Sequence, residues 1–270
     1  MRIVKRHAFG PVQGYELGYS PIGRPFMTVY LYVVGSVMID TGQSHMRDRV
    51  LEIASHRTLD SLLLTHHHED HSGNAKRIAD RYGLPIYGHP ACVRKMARPF
   101  GIMPYQHIIW GKSGPVAVKE LPETIDSGNY SLRPIHTPGH SRDHTVYLEA
   151  NRGWLFAGDL YLADRIKYFR VDENIAEEIR SIKKVVALDF DAVFCSHYPK
   201  AKGGKTRLKR KLQFLEDLYG DVASLRNRGH SAAEIMKILK IKEATCVKWF
   251  CLGNVSAVNG VRSIVKSLPQ

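Results

Sequence analysis

Between His66 and His71 four imidazoles and two carboxylates crowd into one short stretch, Thr65-His66-His67-His68-Glu69-Asp70-His71-Ser72-Gly73-Asn74. A plain turn needs polarity, not this density of ligands. Imidazole nitrogen and carboxylate oxygen together suit zinc and its neighbours. The stretch follows an apolar run, Leu62-Leu63-Leu64, that reads as a buried strand. It precedes a helical pattern with Ile78, Ala79 and Tyr82 on one face. At a strand end side chains alternate, so His66 and His68 point together and can hold one ion while His67 points away. The turn into the helix can then aim Asp70 and His71 at a second.

His-x-His-x-Asp-His after an apolar strand resembles the signature of the metallo-β-lactamase fold hydrolases. Further marks follow in the family's order. Asp40 ends the run Val37-Met38-Ile39 and precedes Thr41-Gly42. His140 stands in His136-Thr137-Pro138-Gly139-His140-Ser141, Asp159 in Phe156-Ala157-Gly158-Asp159, and His197 in Val193-Phe194-Cys195-Ser196-His197. The resemblance spans residues 40 to 197 and covers roughly the first three quarters of the chain. It implies an α/β fold, the αββα sandwich, over residues 1–204, with a helical C-terminal extension over 205–270 packing on it. It also implies two adjacent divalent ions. His66, His68 and His140 would hold the first, Asp70, His71 and His197 the second, and Asp159 would bridge them. Zinc is the base-rate choice, with iron or manganese as alternatives; His68 argues against the di-iron oxygen-reducing branch, which tends to place a carboxylate there. Asp40 would sit behind a ligand imidazole and orient it. Asp70 is the candidate proton carrier, and the hydroxyl of Tyr198, beside His197, a candidate substrate contact.

The surplus histidines read more plainly. His136 is expected as a hydrogen-bonded group in the core or behind a ligand, His144 as a packing residue that could also approach the site, and His67 as satisfied inside the fold. His89 ends a strand on the same side as the metal stretch.

Composition is ordinary for a globular chain, at 44% apolar and 24% charged residues. No apolar run reaches the ~18 to 20 residues of a membrane span, and the first residues lack an apolar core of secretory type. A cytoplasmic enzyme with reduced thiols at Cys92, Cys195, Cys246 and Cys251 is the expectation. The net charge of +13 is the one oddity, concentrated where seven of the twelve residues from Lys200 to Lys211 are basic. That run reads as a solvated linker and helix start that attracts anionic small substrates.

The elements that must position the ligands alternate. Met27 to Val34 and Val37 to Ile39 pair across Gly35-Ser36; Ser44 caps a helix to about His56; strands fall at 60 to 65 and at Pro85-Ile86-Tyr87. Residues 91–115 read as loop, packed on the surface or closing as a lid. Strands resume at Leu132–Ile135, Val146–Leu148, Trp154–Phe156 and Ala192–Cys195, with a helix bearing Ile175, Ile179, Ile182 and Val186 before the last. Beyond about 205 the pattern is helical: Leu208, Leu212, Leu215 and Leu218-Tyr219 form one stripe. Ser231-Ala232-Ala233-Glu234 is a capping box, and Ser256 to Lys266 suggests a further helix.

These features point to hydrolysis of a small acyl substrate, a thioester or lactone, since His136 to Ser141 is close to what glyoxalase II-like members show. The resemblance implies a hydroxide held between the two ions as nucleophile. The alternative is a phosphodiesterase gripping nucleic acid through residues 200–211.

Overall fold

Alternating side chains commit both faces of the strand Thr28–Val34. Tyr30, Tyr32 and Val34 join one buried cluster, and Val29, Leu31 and Val33 join another, so the strand lies inside a layered structure. In the computed structural model, which describes residues 1–269, it is β3 of a seven-stranded sheet. The strands of this sheet run in chain order: β1 (Arg2–Phe9), β2 (Val12–Tyr19), β3, β4 (Val37–Ile39), β5 (Ser61–Leu63), β6 (Ile86–Gly88) and β7 (Lys119–Glu120). The first four are antiparallel and the last four parallel.

A second sheet runs β13 (Ala192–Cys195), β11 (Trp154–Gly158), β10 (Thr145–Glu149), β9 (Tyr130–His136) and β8 (Ile125–Ser127). Its Ile125, Leu132, Tyr147, Phe156 and Phe194 meet Tyr32, Val34, Val37, Ile39 and Leu63 of the first sheet in one cluster between the layers. Tyr147 donates to the Leu64 carbonyl at 2.6 Å and Tyr32 to that of Cys195 at 2.5 Å, so each sheet ties the loop at the end of the other's strand.

Helices α1 (Arg47–Ser55), α3 (Ala75–Tyr82) and α4 (Pro90–Met96) cover the outer face of the first sheet. Helices α6 (Ile175–Val186), α7 (Gly204–Asn227), α8 (Ala232–Ile238) and α10 (Ala257–Ser267) cover that of the second. The result is the αββα sandwich. A short ribbon, β12 (Phe169–Arg170) with β14 (Val255–Ser256), and the single turns α2 (Glu69–Ser72), α5 (Pro104–Ile109) and α9 (Thr245–Phe250) lie among the connections.

Three local readings need correction. Ser44 does not cap α1: it lies within a 3₁₀ turn, Ser44–Met46, and its hydroxyl donates to the Trp110 carbonyl at 3.3 Å. Residues 91–115 are not loop throughout, since they hold most of α4 and all of α5. Pro90 and Pro104 open those helices where a missing N–H costs nothing. The basic run is not wholly solvated, because Lys211 is 1% exposed. Helix α9 carried no readable period, for none of its residues is buried.

Candidate metal centre

The ligand stretch begins where β5 stops. His68 takes extended dihedrals, φ −58 and ψ 153, and the single turn α2 then swings Asp70 and His71 inward. Ser72 closes that turn by donating to the carbonyls of His67 and His68 at 2.8 and 3.0 Å. The other three candidates come from the second sheet's loops: His140 between β9 and β10, Asp159 after β11, and His197 after β13.

All seven converge in two groups, His66–His68–His140 and Asp70–His71–Asp159–His197, every member buried. In the first, Nε2 of His66 and of His140 lie 2.9 and 3.1 Å from Nδ1 of His68. In the second, His71 Nε2 is 3.6 Å from Asp70 Oδ2 and 3.3 Å from Asp159 Oδ1, and His197 Nε2 is 3.6 and 3.4 Å from the same two oxygens. A tetrahedral ion with bonds of ~2.0–2.1 Å places its donors about 3.3 Å apart, so both groups fit a small cation. Asp159 turns its other oxygen to His140 Nε2 at 3.4 Å, which places its carboxylate between the groups. His71 Nε2 and Asp159 Oδ1 are buried with no hydrogen bond. Such orphaned atoms are what a missing cation would satisfy.

Three of the rings are held from behind. Asp40 Oδ2 lies 2.8 Å from His71 Nδ1, and the same carboxylate accepts from the Thr65 amide and hydroxyl, each at 2.8 Å. Asp40 sits at φ +59, where aspartate is among the few side chains tolerated. Glu173 Oε1 lies 2.8 Å from His140 Nδ1, and His197 Nδ1 donates to the Thr28 carbonyl at 2.7 Å. Asp159 is held through its backbone, whose N–H donates to His144 Nε2 at 3.1 Å. Burial brings His144 down to about 3, so its imidazole is neutral and can accept. Gly158, at φ +48, leaves room for that ring: a Cβ there would lie 2.8 Å from His144 Nε2.

A further brace comes from the C-terminal helices. Lys211 Nζ donates to Glu178 Oε1 at 2.6 Å and to the Leu160 carbonyl at 2.9 Å, one residue past Asp159. Glu178 in turn packs on the His140 loop so closely that a Cβ on Gly139 would lie 2.5 Å from its backbone. Asn174 N–H and the Ser181 hydroxyl take the carbonyls of Gly139 and Pro138 at 2.8 and 2.6 Å.

Electrostatically the two groups differ. Burial, aided by neighbouring imidazoles, holds His66 far below the ordinary histidine range; burial and Arg170 do so for His68, so both rings are neutral as a ligand must be. For His71 burial opposes charge, but Asp70, Asp159 and Asp40 outweigh it and hold its pKa well above normal. Burial likewise opposes charge on Asp159, yet His71 and His197 hold it ionised. The second group's carboxylates therefore demand positive charge, which a cation can supply in place of protons.

Of the remaining histidines, His67 is satisfied as expected, while His136 and His144 take other places. His136 is not in the core: it is partly exposed, stacked on His89 at 3.8 Å, with Nε2 on the Arg142 carbonyl. His144 does more than pack, as described. His67 pairs with Asp143 at 2.9 Å. Tyr198 follows His197 and is 60% exposed. Glu173, Asn74, Glu178 and Lys211 went unrecognised in the sequence. Asn74 had a signal, its place in the ligand stretch; its amide donates to the carbonyls of Thr41, Gly42 and Gln43, tying the Asp40 turn to α2. The others had none, being 33 residues or more from what they hold.

A family model described as the metallo-beta-lactamase superfamily matches residues 24–197. The beta-lactamase-like protein 2 homolog of Drosophila melanogaster is 27% identical over 201 residues, 67% of this chain and 62% of that protein. The hydroxyacylglutathione hydrolase of Hahella chejuensis is 29% identical over 147 residues, 53% of this chain and 49% of that one. The chain thus spans about half to three fifths of the length of these curated relatives. Among solved structures, a beta-lactamase domain protein from Burkholderia ambifaria superposes with a TM-score of 0.69 over 96% of this chain and 88% of its own, at 18% identity. No helix among the described residues is long and apolar enough to cross a membrane.

Proposed function

The chain belongs to the metallo-beta-lactamase superfamily, and from that premise we propose that it is a hydrolase with two divalent ions, zinc by base rate, acting on a thioester or lactone. The observation that carries this is the convergence of seven buried donors in two groups with one carboxylate between them. His66, His68 and His140 would hold one ion, Asp70, His71 and His197 the other, and Asp159 both. When bound, the ions would polarise the substrate carbonyl and lower the pKa of water enough to make a nucleophile near neutral pH.

The protein's own contribution is position and proton transfer. Asp40, Glu173 and the Thr28 carbonyl fix the tautomers of His71, His140 and His197, leaving the Nε2 lone pairs facing inward. Asp70 turns Oδ2 toward both His71 and His197, and its second oxygen can take a proton from the attacking water and pass it to the leaving group.

A nucleic-acid substrate is less well supported. Of the basic run, Lys211 is buried in an ion pair, Arg207 and Arg210 engage Asp164 at 3.0 and 3.7 Å, and Lys205 donates to the Leu188 carbonyl. Elemental analysis after metal-replete expression should find two ions per chain. The loaded protein, screened against thioesters, lactones, phosphodiesters and β-lactams, should turn over an acyl substrate and lose that activity in Asp159→Ala. A metal-free product, or phosphodiester turnover alone, would refute the reading.

A further inference from the structure

The surplus of positive charge gathers at a place in the fold that residues 200–211 do not include. A cavity of about 660 Å³ is lined by Arg2 of β1, Arg47 of α1, Lys76 and Arg77 of α3, and Lys112 after α5. It backs onto the ligand turn. Gly73 and Asn74, which directly follow α2, form part of its wall, as does Ser113, whose hydroxyl lies 2.8 Å from that of Ser72. None of the candidate metal ligands lines it.

Against its five cations the wall holds one carboxylate, Asp48. The whole chain has 39 basic to 26 acidic residues, so the cavity concentrates charge rather than sampling the average. Asp48 lies 3.5 Å from Arg47, and Asp80 pairs with Lys76 at 2.9 Å, which leaves Arg2, Arg77 and Lys112 without an acidic partner among the described residues. That placement is unfavourable for the chain alone. A helix N-terminus carries partial positive charge and favours acids, yet the first turn of α3 holds no acid and bears Lys76 and Arg77 instead. Asn74, at the capping position, gives no side-chain cap. Its amide nitrogen is spent on three carbonyls, and its buried Oδ1 has no hydrogen-bond partner. Like charges gathered around a concavity repel one another, and a bound anion converts that repulsion into attraction. The volume falls in the range of ~300–1,000 Å³ typical of pockets for small organic ligands.

We propose that this cavity is a second binding site and takes a sugar phosphate of nucleotide size. Its phosphates meet Arg2, Arg77 and Lys112, and its hydroxyl groups supply the donor that Asn74 Oδ1 lacks. Asn74 and Ser113 belong both to this wall and to the bracing of α2, so the ligand bears on the turn that carries Asp70 and His71. The site goes beyond the hydrolase reading and does not depend on it.

Calorimetric titration of the metal-loaded full chain with inorganic phosphate, AMP and ADP tests the proposal, with metal content checked after each titration. ADP should bind once per chain and more tightly than AMP, and phosphate should be weakest. Arg77→Ala/Lys112→Ala should weaken ADP by roughly tenfold or more, as loss of charge-assisted hydrogen bonds does. Arg2→Ala should weaken it independently. Lys209→Gln/Arg210→Gln, an equal change in net charge, should leave it unaltered. Without ADP the Arg77→Ala/Lys112→Ala protein should unfold at or above the parent's midpoint, because the change relieves repulsion. Absence of binding at millimolar ADP overturns the proposal, and so does equal weakening by both double substitutions, the mark of an unspecific charge effect. ADP binding that survives Arg77→Ala/Lys112→Ala but is lost in Asp159→Ala overturns it by placing the anion on the metal ions. Lower stability in the cavity variant with ADP affinity intact overturns it by making these cations structural. Tight binding of oligonucleotides with none of ADP overturns it in favour of a nucleic-acid surface.

Discussion

The two halves of the candidate metal centre are built in opposite ways. The half contributed by the first sheet is contiguous: His66, His68, Asp70 and His71 lie on one turn, and Asp40 and Thr65, which brace it, sit at the ends of neighbouring parallel strands. The half contributed by the second sheet is dispersed. His140, Asp159 and His197 stand on three loops, and their supports come from Glu173, His144, Thr28 and, through Glu178, from Lys211 on a C-terminal helix. A local turn can place four ligands because the chain itself holds their spacing. Three separate loops can be held to a few tenths of an ångström only by partners distant in sequence. The first half should therefore tolerate insults to the C-terminal helices that the second half does not.

The strongest way to break this comparison is Lys211→Met. Removing one member of a buried ion pair typically costs about 3–5 kcal/mol, because the other is left charged and unpaired. Chemical denaturation should show a loss of that size, with metal retention falling at the His140 and Asp159 ligands. Adding Glu178→Met should restore much of the stability, since an apolar pair can replace a buried ionic one. Equal loss in the single and double variants would show that Lys211 acts through the Leu160 carbonyl alone.

Next in size is Asp70→Asn, which tests the contiguous half. Asparagine can still offer an oxygen to an ion but cannot carry a proton, so kcat should drop by at least ~10²-fold with KM little changed and metal content only modestly reduced. A substrate with a very good leaving group should recover part of the loss. Near-normal kcat in the fully loaded variant would remove the proton-transfer role.

Glu173→Gln and Asp40→Asn then set the halves side by side. Each leaves the ligands intact and removes the charge behind one imidazole, His140 or His71. Partners of this kind typically govern 10- to 100-fold in metal affinity. Competition with a chelator should show Glu173→Gln loosening one ion and Asp40→Asn the other, so that each variant retains one tight site. Parallel loss of both ions from either variant would mean that the two groups fill as a unit.

The same contrast explains what could be read from the sequence. The ligand stretch was legible because spacing along one turn is local information. Strand β3 was legible as an apolar run ending at Gly35-Ser36, and the stripes of α6 and α7 because burial on a helix follows a period. His140, Asp159 and His197 were found only through short motifs, not through any property that links them to His66. Glu173 was invisible because nothing in Val171-Asp172-Glu173-Asn174 distinguishes it from a surface acid. Helices α4 and α5 lay in the stretch read as loop: they run only 7 and 6 residues, too short to show a period, and each opens on a proline at its first position.

The smallest expected effect lies on the same helix as one of the largest. Lys209 and Arg210 directly precede Lys211, but the turn of α7 carries them outward, and both are exposed, as is Lys202 before the helix. Arg210 reaches Asp164 only at 3.7 Å with most of its side chain in water, a geometry that adds little to stability. Replacing Lys202, Lys209 and Arg210 with glutamine should therefore leave metal content, unfolding midpoint and turnover of a neutral ester unchanged within error. An anionic substrate should lose only a few-fold in kcat/KM at low salt. That loss should vanish near 0.5 M salt, where screening shortens the reach of surface charge to about 4 Å. The decisive control is binding of single- and double-stranded oligonucleotides to the parent protein. A tight complex with a steep salt dependence, abolished by these three substitutions, would make residues 200–211 a phosphate-gripping surface and promote the phosphodiesterase reading over the acyl one.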